Sequence, residues 1–129
     1  MISLYPLKQF KYPIIAECIS PDVFCDKTLE EIRVLEIWEG NKQKKLGELF
    51  KAEENDTENT VIAIHGDVSK VRRIGAGMKT GEIAIYGNAG MHLGEEMRGG
   101  KIVVQGNAES WLGSMMKDGL IEVHGKAGD

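Results

Sequence analysis

Along the second half of the chain, apolar and polar residues recur with a period of 19. Written from successive glycines, the sequence reads GEIAIYGNAGMHLGEEMRG from Gly81, GKIVVQGNAESWLGSMMKD from Gly100 and GLIEVHGKAGD from Gly119. Ile83, Ile102 and Ile121 fall in register, as do Gly87, Gly106 and Gly125, and Met78, Met97 and Met116. An earlier copy from Val61, VIAIHGDVSKVRRIGAGMKTG, joins the series if two residues are inserted after Gly66. Each copy opens with strict alternation, as in Ile83-Ala84-Ile85, which is the period of a strand with one face buried. Each then meets a glycine, needed where φ is positive or where one stretch of backbone approaches another too closely for a Cβ. A unit this short cannot bury its apolar face alone, and stacking copies on one another solves the problem. The pattern therefore predicts a mainly β fold, a single-stranded β-helix of about 19-residue coils stacked at about 4.8 Å. Ile85, Val104 and Val123 should form an inner column, with Met78, Met97 and Met116 inside or at a corner.

Helical repeats do not fit, because the copies carry a glycine every few residues and no helical apolar stripe. A six-residue coil step fails as well, since from Ile83 it lands on Ala89 and then Glu95. Glycine-aspartate calcium repeats lack their GGxGxD.

The first half has a different texture. Fourteen of the 16 glycines lie at or after Gly66, whereas all three prolines and six of the eight aromatic residues precede Lys51. The acidic run from Glu53 to Thr60 marks the change, so the predicted organisation is a small α+β cap over residues 1–60 and glycine-rich coils over 61–129. Within the cap, Thr28-Leu29-Glu30-Glu31 has the form of a capping box and predicts a helix from Thr28 to about Leu35. The runs Leu35 to Glu39 and Leu46 to Ala52, separated by Gly40-Asn41 and three lysines, predict a hairpin or a strand-loop-strand.

A net charge of -4 and a pI near 5.4 disfavour nucleic acid and anionic membranes as partners. No stretch approaches 18 apolar residues, and Pro6, Lys8, Lys11 and Pro13 interrupt any leader-like pattern. Two cysteines, Cys18 and Cys25, are too few for a disulfide framework and read as reduced thiols of a cytoplasmic protein.

Candidate chemistry is sparse. His65, Tyr86, Gln105 and His124 share one position of the repeat, but the two histidines stand three rungs apart, roughly 14 Å, too far to share a metal. These residues, His92, and the adjacent Glu95 and Glu96 read as solvated surface, and Gly75-Ala76-Gly77 lacks the helix that a phosphate loop requires. Asn88 and Asn107 read as a stabilising amide ladder. The periodic feature that points outward to function is a basic column, Lys79, Arg98 and Lys117, whose stacked cations call for water or an acidic partner. Trp111, one repeat after His92, adds a candidate aromatic anchor for docking. Asp129 falls mid-repeat, which predicts a coil edge to be covered by further repeats, by a partner or by a second copy in a homo-oligomer. Among these residues no catalytic, cofactor-binding or metal-binding set is expected.

The alternation of GxIxIxGNAG with LGxxMxxG closely resembles the glycine-rich β-helix of the C subunit of formylmethanofuran dehydrogenase, also found as the C-terminal domain of the glutamate synthase large subunit. The segments PIIAECISPDVF and LEIWEGNKQKKLGELF are similar to the N-terminal region of the dehydrogenase protein. The resemblance extends from about Pro13 and looks like the N-terminal part, or a shortened form, of that protein. It implies a place in the tungsten or molybdenum complex that reduces carbon dioxide to formylmethanofuran in methanogenesis. It also implies that the metal pterin and iron-sulfur clusters belong to partner subunits, with this chain a scaffold on which they dock. A glutamate-synthase-like β-helix domain is the alternative that the same motif implies.

Overall fold

The computed structural model describes residues 1–55 and 60–128, so half of the acidic run from Glu53 to Thr60, residues 56–59, lies outside the described residues. Among the described residues thirteen short elements follow one another: β1 (Ile2–Pro6), β2 (Ile14–Ile15), α1 (Pro21–Phe24), α2 (Leu29–Arg33), β3 (Glu36–Glu39), β4 (Lys42–Lys45), α3 (Leu46–Leu49), β5 (Phe50–Glu54), β6 (Val61–His65), β7 (Val71–Arg72), β8 (Glu82–Tyr86), β9 (Lys101–Val104) and β10 (Leu120–Val123). The chain is mainly β, and its glycine-rich half is a β-solenoid.

Strands β6, β8, β9 and β10 stack in parallel, and their register is the sequence period made visible: Ile62 pairs with Ile83, Ile83 with Ile102 and Ile102 with Ile121. A second ladder of single bridges runs Val68, Ala89, Ala108 and Ala127 beside the first. Alternation sends Ile62, Ile64, Ile83, Ile85, Ile102 and Val104 into the interior, where all are fully buried. Each contributes about 1.5 to 3 kcal/mol by leaving water. Met78 and Met97 are fully buried in the same column, and Met116 is half-buried against it.

The corner glycines show which of glycine's two properties is used. At Gly87 φ is ordinary, but a Cβ there would collide with the Gly66 carbonyl of the coil above, and Gly106 and Gly125 repeat the collision one and two coils on. Close approach of backbones, rather than positive φ, makes these three positions obligatory.

The start of the chain joins the solenoid. β1 lies parallel to β6, with Ile2 opposite Ile62 and Leu4 opposite Ile64, so it is a rung placed before the first repeat. β5 then pairs antiparallel with the outer edge of β1, completing a six-stranded sheet in the order β10-β9-β8-β6-β1-β5. Ile19 accepts a bond from Gly75 N at 2.9 Å, as Ile74 does from Gly94 and Leu93 from Gly113 one and two coils later. The imitation ends at Asp22. Arg98 N and Lys117 N each donate to a methionine carbonyl of the previous coil, whereas Lys79 N donates to the Asp22 carboxylate at 2.5 Å, and the Thr80 hydroxyl donates to its other oxygen at 2.7 Å. A carboxylate on α1 thus replaces the carbonyl that a preceding coil would supply.

The two extra residues of the first copy fall between Val68 and Ile74, where β7 forms and pairs in parallel with β2. Through β2 the hairpin of β3 and β4 is attached, giving a second sheet in the order β4-β3-β2-β7. This hairpin differs from the predicted one: β3 pairs with the lysine-rich Lys42–Lys45 across Gly40 and Asn41. The run expected as its second arm divides into α3 and β5. Leu46, Leu49 and Phe50 have helical spacing and are all buried, while the lysines tolerate, and protect, an exposed sheet edge.

α2 begins where predicted but stops at Arg33. The Thr28 hydroxyl accepts from Glu31 N at 3.2 Å and Glu31 accepts from Thr28 N at 2.9 Å, closing the capping box. The Thr28 amide foremost, then its hydroxyl, holds the Glu31 carboxyl below its usual range.

Two substitutions test this architecture by thermal unfolding. Gly87→Ala should destabilise by about 1 to 3 kcal/mol because two coils must separate. Asp22→Ala should cost a similar amount, about 1 to 3 kcal/mol, because the first coil's terminal donors lose their acceptor. An unchanged midpoint in either variant contradicts the packing described.

Candidate interaction surface

Lys79, Arg98 and Lys117 directly follow the inward methionines and are exposed. Their main-chain N–H groups are held by Asp22 and the preceding coils, so the backbone fixes three cation stems in one column. At a rung spacing of about 4.8 Å, neighbouring charges repel by about 1 kcal/mol even in water. Among the described residues none of the three side chains has an ion-pair partner.

A second column precedes the inward residues Ile74, Leu93 and Leu112. Arg73, His92 and Trp111 occupy it with φ of 67°, 59° and 66°, a conformation that favours glycine. Trp111 is 60% exposed and lies parallel to His92, with ring centroids 6.0 Å apart. Glu95 Oε2 lies 2.6 Å from His92 Nδ1. Arg73 reaches Glu95 at 3.9 Å and Glu17 of the N-terminal segment at 3.7 Å. Trp111 is therefore an outward aromatic. Glu95 and His92 are tied into a charged corner, whereas Glu96 is simply exposed. Sequence reasoning missed the strain in this column, since nothing marks a positive φ at a non-glycine position.

A third column was half legible. His65 and Tyr86 stack at 5.1 Å, and Tyr5 from β1 stacks on the other face of His65 at 4.8 Å. His124 is separated from His65 by the strands of two coils and contacts Glu122 at 2.9 Å instead. No group of three or more metal-binding side chains converges among the described residues. The asparagine ladder takes a form different from the predicted amide stacking. Asn88 Oδ1 accepts from Asn107 N at 2.9 Å, and Asn107 Oδ1 accepts from Lys126 N at 2.8 Å. The strand ladder is interrupted at this corner, and the side chain supplies the acceptor that the backbone lacks.

The solenoid repeats its outward residues in columns along its length. The chain matches no family model. It is 48% identical over 91 residues to the C subunit of molybdenum-containing formylmethanofuran dehydrogenase 1 from Methanothermobacter marburgensis, an alignment covering 70% of this chain and 23% of the relative. It is 44% identical over 96 residues to the C subunit of tungsten-containing formylmethanofuran dehydrogenase 2 from Methanothermobacter thermautotrophicus, covering 72% of this chain and 36% of the relative. This chain is a homologue of the formylmethanofuran dehydrogenase C subunit. Its alignments span about a quarter to a third of the length of these archaeal relatives. Nearly all of this C-subunit homologue, 98%, superposes with a TM-score of 0.89 and 27% identity on 47% of a chain from the formyltransferase/hydrolase complex of Methylorubrum extorquens, solved with methylofuran. No helix among the described residues is long and apolar enough to cross a membrane.

The cysteines of the C-subunit homologue are both free thiols in unlike settings. Burial pushes the Cys18 thiol up to about 11, against a small lowering by its own backbone, while Cys25 is exposed. Only the thiolate reacts, so at pH 8 iodoacetamide should label Cys25 well before Cys18. Equal labelling rates in the folded protein would contradict the burial of Cys18.

Proposed function

We propose that this chain is a non-catalytic docking subunit of a formylmethanofuran dehydrogenase complex, acting in the reductive fixation of carbon dioxide as formylmethanofuran. The observation that carries this reading is the alignment with the C subunits of both molybdenum and tungsten enzymes, over 70% and 72% of this chain. A common scaffold beside different metals fits a part whose work is assembly. On this reading the tungsten or molybdenum pterin and the iron-sulfur clusters reside in partner subunits, and the chain contributes surfaces. The Lys79, Arg98 and Lys117 column takes an acidic partner face, and Trp111 supplies an aromatic anchor at the neighbouring corner.

A second reading has its own support. The structural likeness covers almost the whole chain and leads to a formyltransferase/hydrolase complex, so on this reading the assembly served transfers and hydrolyses formyl groups.

Purification of the tagged chain from its source cells, with identification of co-purifying subunits and assay of tungsten, molybdenum and iron, separates the two. The dehydrogenase reading expects stoichiometric partners with tungsten or molybdenum. Formyltransferase and hydrolase subunits without either metal favour the second reading, and a chain that emerges alone, as monomer or homo-oligomer, overturns both. In the purified complex, Lys79→Glu with Arg98→Glu should raise the dissociation constant at least tenfold, with unchanged thermal stability of the free chain.

A further inference from the structure

The repeat generates periodic columns, so a feature that breaks the period needs its own explanation. The two residues inserted into the first coil produce such a feature. Asp67 Oδ1 accepts from Ser69 N at 3.1 Å and turns the chain outward, and the extra length forms one wall of a cleft lined by Pro13, Ser69, Lys70, Arg72, Met91 and Glu109. These residues come from the rung before the first repeat and from the three coils that follow, so the cleft runs along the stacking axis rather than around one coil. In repeat proteins, insertions collect on the face that binds.

The cleft is polarised. Lys70 and Arg72 stand towards its first-coil end, Met91 provides an apolar middle, and Glu109 closes the end two coils on. Two coil steps span about 10 Å. Among the described residues none of these three charged side chains has an ion-pair partner, although unpaired charges of opposite sign lie in the same cleft. Its volume of about 210 Å³ is below the roughly 300 Å³ at which small-molecule and cofactor sites begin. The space suits one or two side chains of a polypeptide laid along the axis.

We propose that this cleft seats an extended segment of a partner protein, one that presents a carboxylate to Lys70 and Arg72 and, about 10 Å further on, a basic side chain to Glu109. The assignment rests on the docking reading above and adds a second attachment point, distinct from the Lys79 column. Arg72 offers a planar fork for the carboxylate, Lys70 a mobile second donor, and Met91 an adaptable floor. The opposite charges at the two ends fix the direction in which the segment lies.

A zero-length carbodiimide, which joins an amine directly to a carboxylate, tests the contact in the complex purified through this chain. Mass spectrometry should find Lys70 joined to an aspartate or glutamate of another subunit. Lys70→Glu with Arg72→Glu should weaken the same partner's binding at least tenfold, while the free variant keeps its melting temperature. Restoring the charge match by Lys70→Arg with Arg72→Lys should retain most of the affinity. If the wild-type chain brings down no other subunit, the docking reading itself fails and the cleft assignment falls with it. If partners co-purify but Lys70 is joined to none of them, or the double charge reversal binds as tightly as wild type, the cleft assignment alone is overturned.

Discussion

Everything in this molecule depends on coils approaching one another closely enough for their backbones to hydrogen-bond in register. That contact pairs the strands at each rung and brings equivalent side chains into line. It forces glycine at Gly87, Gly106 and Gly125, where the carbonyl of the preceding coil occupies the place of a Cβ. The same contact explains the interior. Once Ile83 is opposite Ile102 and Ile121, a single apolar choice repeated at each copy fills the core without further design.

A stack of this kind has ends, and the first end is solved by imitation. The residues before the repeats copy a coil as far as they can, with β1, β2 and Ile19 taking the places of their later counterparts. Asp22 then substitutes a carboxylate for the missing carbonyl, and α1 leaves the stack. Outside it, β5 covers the free edge of β1, and the charged strand β4 forms the edge of the second sheet. Charged side chains on both strands discourage further pairing there. The first half thus meets the coils through the pairing of β1 with β6, of β2 with β7, and through Asp22.

The outward faces follow from the same register. Any residue that faces away from the core is multiplied into a column, and the properties of columns differ from those of single residues. Three stacked cations repel one another, three stacked rings support one another, and Arg73 pairs with Glu95 of the next coil and with Glu17 of the N-terminal segment. Arg73, His92 and Trp111 hold a backbone conformation costing of order 1 kcal/mol each, which the stacking above and below imposes. Against this periodic background, the inserted Ser69 and Lys70 stand out because they serve both the attachment of β2 and the polarised cleft.

The repeat itself was legible because its physics is local and periodic. Alternation defines a half-buried strand, glycine marks the corner, and a unit too short to bury itself must stack, so the β-solenoid, the methionine column and the outward Lys79, Arg98 and Lys117 could be read from spacing alone. The capping box of α2 was legible for the same reason, since Thr28 and Glu31 satisfy each other across three residues. What required the tertiary structure were the pairings between segments distant in sequence. Nothing in Tyr5 announces that it will stack on His65, nothing in Asp22 that it will replace a backbone carbonyl, and nothing in the lysines of β4 that they, rather than Leu46 and its neighbours, will pair with β3. The spacing of residues along one strand or helix fixes which face they share. Which distant segment completes that face depends on where chain closure leaves an unpaired edge, and only the folded molecule decides it.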